Sequence, residues 1–241
     1  MLARYVRQLA TLVTAASLVV PAAAVAAMGR DPSPPAFRLP DAAAPERYEA
    51  RLAIDPRSPD FEGEIVIDVR IARATDVLWL NATAITIDRA RLRKDGRGET
   101  LQVVAGGEDF VGLRGRFEPG PARLAISYRG KVDALIVEGI FRQEEAGDWY
   151  VLTQFQAIGA RRAFPCFDEP QWKTPWTLTI DAPAGQVVIA NTPEETSSPA
   201  QDRPGWTRHR FARTPPLPSY LVAFAVGPYD VVDGGVAGSK K

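Results

Sequence analysis

The chain has 241 residues with 29 basic and 29 acidic side chains, so its formal net charge at pH 7 is zero. This balance argues against a protein built to bind nucleic acid, because such proteins usually carry excess basic charge. With 46% hydrophobic residues, the chain is long enough to bury the core of one large domain or two small ones. A single cysteine excludes an internal disulfide.

The N-terminus has the order of features expected of a signal peptide: a basic start, a short apolar run and then small residues. The pattern predicts a signal peptide over residues 1–27, cleaved after Ala26 or Ala27, and therefore an exported protein, periplasmic or secreted. The apolar run is short for a bilayer span, although an uncleaved membrane anchor is the alternative. Residues 28–45, rich in Pro and Ala, are predicted to be a linker.

From Phe61 onward the hydrophobic pattern has a period of two. In "FEGEIVIDVRI" apolar residues alternate with charged ones, which predicts a half-buried strand. The pattern continues in "DVLWLNA", "AITIDRARL", "TLQVVA", "ARLAISYRG", "DWYVLTQF", "WTLTIDAP" and "QVVIAN". "PSYLVAFAVGPYD" is apolar on both faces and predicts a strand buried between layers. With no long amphipathic helix, the sequence predicts an all-β fold, a large antiparallel sandwich or curved sheet.

The residues of the common hydrolytic sites are missing. A catalytic zinc usually takes two His and a Glu, and the only histidine, His209, falls in the strand-like run "WTRHRFA". No metal ligands are therefore predicted in this sequence. The sequence also contains no H-E-x-x-H, no G-x-S-x-G and no phosphate-binding glycine loop. Two carboxylate pairs, Asp168–Glu169 and Glu144–Glu145, are in principle able to do acid/base work, but the second is more typical of a solvated turn.

One long segment differs from the rest of the chain: "TQFQAIGARRAFPCFDEPQWKTPWTLTI", residues 153–180. It resembles the signature of the N-terminal domain of zinc aminopeptidases of the aminopeptidase N family, whose relatives include leukotriene hydrolase. "YEARLAIDPRSPDFEGEIVIDV", "LWLNATAITIDRARL" and "PSYLVAFAVGPYDVVDG" resemble further parts of that domain, in the same order. The resemblance covers residues 46–234 and implies a saddle-shaped, mainly β domain that caps a thermolysin-like zinc domain. It places residues 235–241 at the start of that catalytic domain.

The resemblance assigns two residues to the substrate cleft. Gln154 stands where the family's glutamine lines the pocket for the first substrate side chain. Gln156 stands where many members carry a Glu that holds the substrate's α-amine, although the leukotriene hydrolase branch also has Gln there. If the segment is extended, residues two apart project from the same face and present two amides to one cleft. On the residues alone, the alternative is that both glutamines satisfy backbone groups in a tight turn.

The second half of the signature is predicted to be a structural loop that positions the glutamines against the catalytic domain. Its aromatic residues are expected to be buried anchors, its prolines to stiffen it, and its charged residues to pair with one another or across a domain boundary. The lone cysteine is expected to be a buried small apolar residue rather than a reactive thiol. The loop comprises Arg161, Arg162, Phe164, Pro165, Cys166, Phe167, Asp168, Glu169 and Pro170. We also expect residues 153–170 to expose an apolar face that meets the catalytic domain.

The resemblance thus implies the substrate-side domain of an exported zinc aminopeptidase that removes N-terminal residues from peptides. Zinc is expected in the full-length family enzyme and no cofactor in these residues, so the chain by itself is predicted to be inactive. The partners implied are a peptide substrate and a thermolysin-like catalytic domain, with no nucleic acid and no stable membrane span after signal cleavage. The alternative is a free-standing, non-catalytic β-rich module that binds peptides or a partner chain.

Overall fold

The structure is a computed structural model that describes residues 32–94 and 96–232. The predicted signal peptide, residues 1–27, and the predicted tail, residues 235–241, lie outside the described residues. All of the strands belong to one compact unit, which begins at residue 33.

Strands form most of the described chain, and two short 3-10 helices, Gly159–Arg162 and Ser219–Leu221, are the helical segments among the described residues. The strands are β1 (Ala43–Ala53), β2 (Asp60–Ile71), β3 (Thr75–Asn81), β4 (Thr86–Lys94), β5 (Arg97–Thr100), β6 (Gln102–Ala105), β7 (Phe110–Phe117), β8 (Gly120–Lys131), β9 (Gly139–Glu145), β10 (Asp148–Gln154), β11 (Trp176–Pro183), β12 (Val187–Ala190), β13 (Glu194–Pro199), β14 (Trp206–Phe211) and β15 (Phe224–Gly227).

The strands form three sheets. The largest has eight strands in the order β13-β14-β11-β1-β2-β8-β4-β5. A four-stranded sheet has the order β12-β15-β10-β9, and a three-stranded sheet the order β3-β7-β6. Neighbouring strands are antiparallel except β1 and β11, which are parallel. The prediction of an all-β domain with antiparallel sheets is confirmed.

Alternation in the sequence explains the core of the large sheet. On β2, Ile65, Ile67 and Val69 are fully buried, while Val66 and Asp68 between them are more exposed. β1 and β8 also alternate buried and less buried positions, and their inward side chains pack on the same core. β11 joins this core as a strand that is buried along most of its length. Burial of apolar side chains at this density is the main force that holds the sheet against the rest of the domain.

Tight turns explain how neighbouring strands are joined. The sequence "EEAGD" forms the turn of the β9–β10 hairpin, in which Glu145 pairs with Asp148. The two residues between them, Ala146 and Gly147, have φ values of 54° and 91°. Positive φ at both central positions gives a two-residue turn whose twist matches the twist of the strands. This hairpin brings the end of β10, where the glutamine segment begins, next to the start of β9.

Two boundaries differ from the sequence prediction. β1 begins at Ala43, so residues 43–45 of the predicted linker belong to the sheet, where they pair with β2. The segment "PSYLVAFAVGPYD" was expected to be one buried strand, but only Phe224–Gly227 is a strand and Ser219–Leu221 is a 3-10 helix. The reason is local hydrogen bonding: the Asn191 side chain bonds to the Leu221 carbonyl and the Ala223 amide, which removes both from strand pairing.

Within residues 32–94 and 96–232, no helix has both the length and the apolar composition required to cross a membrane.

Candidate functional site

The two predicted substrate residues lie where β10 runs into a turn. Gln154 is the last residue of β10 and pairs with Gly139 of β9. Gln156 lies beyond the strand, in a turn closed by a hydrogen bond from the Gly159 amide to the Phe155 carbonyl, 2.7 Å long. Residues 154–158 are called the glutamine turn. The extended geometry considered for both glutamines therefore holds for Gln154 and fails for Gln156.

Both amide side chains of the glutamine turn are nevertheless exposed, on either side of a buried residue. Phe155 packs edge-on against Phe164 and Phe224, with ring centroids 5.8 and 6.4 Å apart, and pins the turn to the core. In the described residues, neither glutamine side chain makes a hydrogen bond, so neither satisfies a backbone group in the turn. The pair is thus free to bind a partner, although its role in the substrate cleft stays a prediction.

Residues 161–170, called the anchor loop, are held by a buried ion pair. The Arg161 Nε atom donates to Asp168 Oδ2 over 3.0 Å, and the Arg161 amide donates to the same oxygen. The Ser219 hydroxyl donates to Asp168 Oδ1, and the Asp168 amide donates to Asn81 Oδ1. Asp168 is therefore fully bonded on both oxygens inside the protein. The network joins β3, both 3-10 helices and the anchor loop into one rigid unit.

Aromatic packing completes the anchor loop. The Phe164 ring lies 5.2 Å from the Trp176 ring, and Trp176 stacks on Tyr48 with centroids 3.9 Å apart. The Tyr48 hydroxyl oxygen accepts a hydrogen bond from the Phe167 amide, 3.1 Å long. Burial raises the pKa of the Tyr48 hydroxyl well above its ordinary value. Tyr48 therefore stays neutral and serves as a fixed polar contact in an apolar core.

Cys166 is fully buried, as the sequence predicted. Burial, followed by the nearby Asp168 charge, raises the pKa of its thiol well above the usual range. Its backbone pairs with Asn81 in both directions, the Asn81 amide to the Cys166 carbonyl and the Cys166 amide to the Asn81 carbonyl. Cys166 is a packed core residue, because a nucleophilic thiol needs a low pKa and access to solvent.

The remaining residues of the anchor loop have weaker contacts. Arg162 lies 3.5 Å from Glu138, and both side chains are partly exposed. Glu169 accepts a hydrogen bond from the Leu39 amide, which holds the segment before β1 against the loop. Pro165 is buried, whereas Pro170 is exposed. The predicted pairing among the loop's own charges is thus found for Arg161 and Asp168, while the other charges contact residues outside the loop.

The apolar surface near the signature differs from the prediction. An exposed apolar face was expected over residues 153–170, but most apolar side chains of that segment pack inside their own domain. Within that segment, Ile158 has an exposed large apolar side chain. Further exposed apolar side chains lie outside it, in the loop before β9, at Leu135, Ile136 and Val137. Gly139, the residue after Glu138, pairs with Gln154, so the end of this loop adjoins the glutamine turn. Residues 135–137 and Ile158 are called the apolar patch.

No arrangement for metal binding or acid/base catalysis is found in the part of the chain that the structure describes. No group of three or more His, Cys, Asp or Glu side chains is placed to hold a metal ion there. His209 lies in β14 with Nδ1 2.8 Å from a Glu194 oxygen, a strand residue as predicted. The Asp168 carboxylate is buried in its ion pair with Arg161, so the Asp168–Glu169 pair is not placed for acid/base catalysis.

Three buried polar residues of this region were not singled out from the sequence: Tyr48, Asn81 and Ser219. Each comes from a different part of the chain and contacts the anchor loop through one side-chain hydrogen bond. Asn81 and Ser219 stand beside apolar strand-like runs, where a single polar residue is an ordinary end-of-strand signal. Only the three-dimensional pairing shows that all three support the same loop.

Comparison with known proteins identifies the class of this domain. Residues 44–221 match the family described as "Peptidase M1 N-terminal domain". The chain is 34% identical over 210 residues to Aminopeptidase M1-C of Oryza sativa subsp. japonica, covering 85% of this chain and 24% of that protein. It is 29% identical over 210 residues to glutamyl aminopeptidase of Bos taurus, covering 81% and 22%. It is 30% identical over 207 residues to puromycin-sensitive aminopeptidase of Caenorhabditis elegans, covering 81% and 21%.

The chain therefore belongs to the M1 peptidase family, to which it contributes an N-terminal domain. This confirms the family predicted from the signature segment. The chain spans about a quarter of the length of the rice relative it matches.

Proposed function

We propose that this chain forms the substrate-side wall of the peptide cleft in an exported zinc aminopeptidase of the M1 family. The observation that carries the proposal is the glutamine turn. Gln154 and Gln156 are exposed, and their side chains make no hydrogen bond to the part of the chain that the structure describes. They lie on the family's signature segment beside a buried phenylalanine that fixes their position. The similar proteins are named as aminopeptidases, which supports a peptide with a free N-terminus as the ligand.

The chemistry of the glutamine turn is suited to binding the amino end of a peptide. A glutamine carbonyl oxygen accepts hydrogen bonds, and an α-ammonium group offers three N–H donors. In the proposal Gln156 accepts from the ammonium group, and Gln154 contacts the first side chain of the substrate. Bonds with one charged partner are stronger than neutral ones, so even a neutral amide gives a useful contact with the ammonium group.

These residues bind and orient the substrate, and they do not fit a zinc site. A hydrolytic zinc needs several His or carboxylate ligands around one point, and His209 is the chain's only histidine. Its Nδ1 atom is bonded to Glu194, and in the described residues no third ligand lies beside them. In the proposal, zinc and the water that it activates are held by a catalytic domain.

The apolar patch is the proposed contact with that catalytic domain. Leu135 is 93% exposed, and Ile158, two residues after Gln156 in the glutamine turn, is 49% exposed. Large exposed apolar side chains that cluster on a folded domain mark a surface that a partner normally covers. The Asp133 carboxylate holds the loop in place by accepting from the Leu135 and Ile136 amides. The patch is therefore a formed surface that is ready for docking.

The second candidate is a free-standing module that binds peptides or a partner chain without catalysis, and the apolar patch also favours it. The nucleotide sequence downstream of this segment discriminates between the two. In that downstream sequence, an in-frame G-A-M-E-N, the exopeptidase motif of the family that the chain resembles, together with a zinc-binding H-E-x-x-H would support the aminopeptidase. Unrelated sequence would support the module. Export is tested by N-terminal sequencing of the extracytoplasmic protein, with residue 27 or 28 expected as the first one.

The cleft proposal is tested with a chimera in which residues 33–232 replace the matching domain of rice aminopeptidase M1-C. We expect Gln154→Ala to change the ranking of substrates by their first side chain, as measured by kcat/KM on a series of amino-acid anilides. Gln143→Ala is the matched control, because Gln143 is an exposed glutamine on β9 away from the turn. Equal effects of the two substitutions would contradict the assignment of Gln154 to the cleft.

A further inference from the structure

The outer face of the eight-stranded sheet is rich in arginines, and most of them have a carboxylate partner. Arg47 contacts Asp68 at 2.7 Å, and Arg129 contacts Asp88 at 2.8 Å. The other paired arginines of this face are Arg51 and Arg208 with Asp181, and Arg123 with Glu49. Such pairing is the usual way in which a sheet face tolerates many charges.

Three arginines on β4 break this rule. Arg89, Arg91 and Arg93 are exposed, while Ala90 and Leu92 between them are buried, so the three guanidinium groups leave the same face of one strand. Within residues 32–94 and 96–232 none of the three has an ion-pair or hydrogen-bond partner. Alternate residues of a strand are roughly 7 Å apart, so three like charges stand in a straight line. These residues are called the arginine row.

The neighbouring acids do not neutralise the arginine row. Asp88, the adjacent carboxylate, is held by two nitrogens of Arg129. Glu99 on β5 lies opposite Leu92, whose side chain is on the buried face, and its carboxylate approaches Gly115 instead. Arg93 lies directly opposite another arginine, Arg123. In the sequence of residues 89–97, five basic side chains stand against one acidic residue, Asp95. The balanced charge of the whole chain therefore hides a local positive surface.

The position and chemistry of the row indicate the kind of partner. The row lies on an open sheet face, which offers contact to a surface or an extended chain rather than enclosure for a small molecule. All three side chains are arginines, whose planar fork binds phosphate oxygens in pairs. The signal peptide predicted from the sequence implies export across a membrane, so phospholipid head groups are a phosphate-rich surface that the chain is expected to meet. We propose that the arginine row docks the domain on an anionic phospholipid surface.

The test is vesicle co-sedimentation of residues 28–241, the form expected after signal cleavage, which contains the whole compact unit of residues 33–241. The probes are vesicles of phosphatidylcholine alone and vesicles with about one third phosphatidylglycerol. Each basic residue near an anionic membrane contributes about a fivefold gain in binding, which corresponds to about 1 kcal/mol. The triple variant Arg89→Gln, Arg91→Gln, Arg93→Gln should therefore bind the anionic vesicles roughly a hundredfold more weakly, and binding of the parent should fall with added salt.

The matched control is Arg73→Gln, Arg116→Gln, Arg210→Gln, which removes the same charge from exposed arginines that have the partners Asp41, Glu118 and Glu195. We expect this control to keep most of the binding. Thermal unfolding of both triple variants checks that each is folded. Equal losses in the two variants, or no preference of the parent for anionic vesicles at low salt, would overturn the proposal. Equally tight binding of a short DNA duplex at the same phosphate concentration would overturn the assignment of the row to a membrane.

Discussion

The two halves of the signature segment, the glutamine turn and the anchor loop, differ in the burial of their side chains. In the glutamine turn, Gln154, Gln156 and Ile158 face solvent, and only Phe155 is buried. In the anchor loop the pattern reverses, and nearly every side chain from Arg161 to Asp168 is buried or bonded. One half leaves polar and apolar groups free for a partner, and the other fixes the position of those groups. The two halves are therefore adjacent in the sequence but differ strongly in how far their side chains are buried and accessible.

The first way to sharpen this comparison is to measure thiol accessibility in both halves of one molecule. In the variant Ile158→Cys, the new thiol lies in the exposed turn and Cys166 lies in the anchor loop. Burial raises the pKa of the Cys166 thiol, and its exposure requires opening of the core, which takes about 5 kcal/mol or more. We expect residue 158 to react with a disulfide reagent at pH 8 at least roughly a thousandfold faster than Cys166.

In denaturant the two thiols should react at similar rates, which controls for intrinsic reactivity. Similar rates in the native protein would mean that the anchor loop opens easily and that the contrast between the halves is wrong.

The second prediction concerns the ion pair at the centre of the anchor loop. Asp168→Ala removes the buried partner of the Arg161 guanidinium, which then keeps only the more distant and exposed Asp109 carboxylate at 3.6 Å, and it also removes the acceptor of the Ser219 hydroxyl. Breaking a buried pair in this way typically costs about 3–5 kcal/mol of stability. Urea unfolding should show this loss, whereas Glu144→Ala, a change at an exposed residue, should stay within about 0.5 kcal/mol. A loss below about 1 kcal/mol for Asp168→Ala would show that the loop does not depend on this pair.

The third prediction tests a single contact from outside the loop. Tyr48→Phe keeps the stacking on Trp176 but removes the oxygen that accepts the Phe167 amide. A buried N–H group without an acceptor costs about 1–3 kcal/mol. Tyr220→Phe is the control, since this ring is partly exposed and its hydroxyl has no partner among the described residues. Calorimetric melting that showed equal small effects for both would contradict a supporting role for Tyr48.

Much of the fold was predictable because the strands of the large sheet alternate. β2 and β8 were predicted correctly from apolar residues at every second position, and β10 was predicted from a strand-like apolar run. β13 carried no such signal: all six of its residues are polar or exposed, and it is held by backbone pairing with β14 at the edge of the sheet. β7 and β9 were also missed, since glycines and charged residues interrupt their apolar pattern.

The sequence named the residues of the candidate site, whose role in substrate binding stays a prediction, but it did not predict their geometry. The signature segment pointed to the two glutamines and to the anchor loop, yet the turn after β10 depends on packing of Phe155 against Phe164 and Phe224. For a related reason the sequence placed the exposed apolar face on residues 153–170, whereas Ile158 is the member of the apolar patch that lies in that segment. The sequence shows which side chains are apolar, but whether Phe164 or Leu135 meets the core depends on contacts between distant strands.

The last prediction tests whether Gln156 of the glutamine turn binds the α-amine of the substrate. In the rice chimera, Gln156→Glu replaces a neutral acceptor by a charged one at the same exposed position. Hydrogen bonds to charged groups contribute about 1.5–3 kcal/mol against about 1 for neutral ones, so we expect a gain of about 1 kcal/mol in a solvated cleft. Inhibition constants for peptides with free N-termini should therefore improve several-fold. The gain should be absent for N-acetylated peptides, which carry no charge at that end. It should also fade as pH rises past the pKa of an α-amine, near 8, because the ammonium group then loses its proton.

Gln154→Glu provides the positional control, since a residue that contacts the first side chain should change side-chain preference more than amine binding. If Gln156→Glu changed the affinity for free and acetylated peptides equally, Gln156 would not contact the amine, and the free half of the signature would serve docking rather than substrate binding.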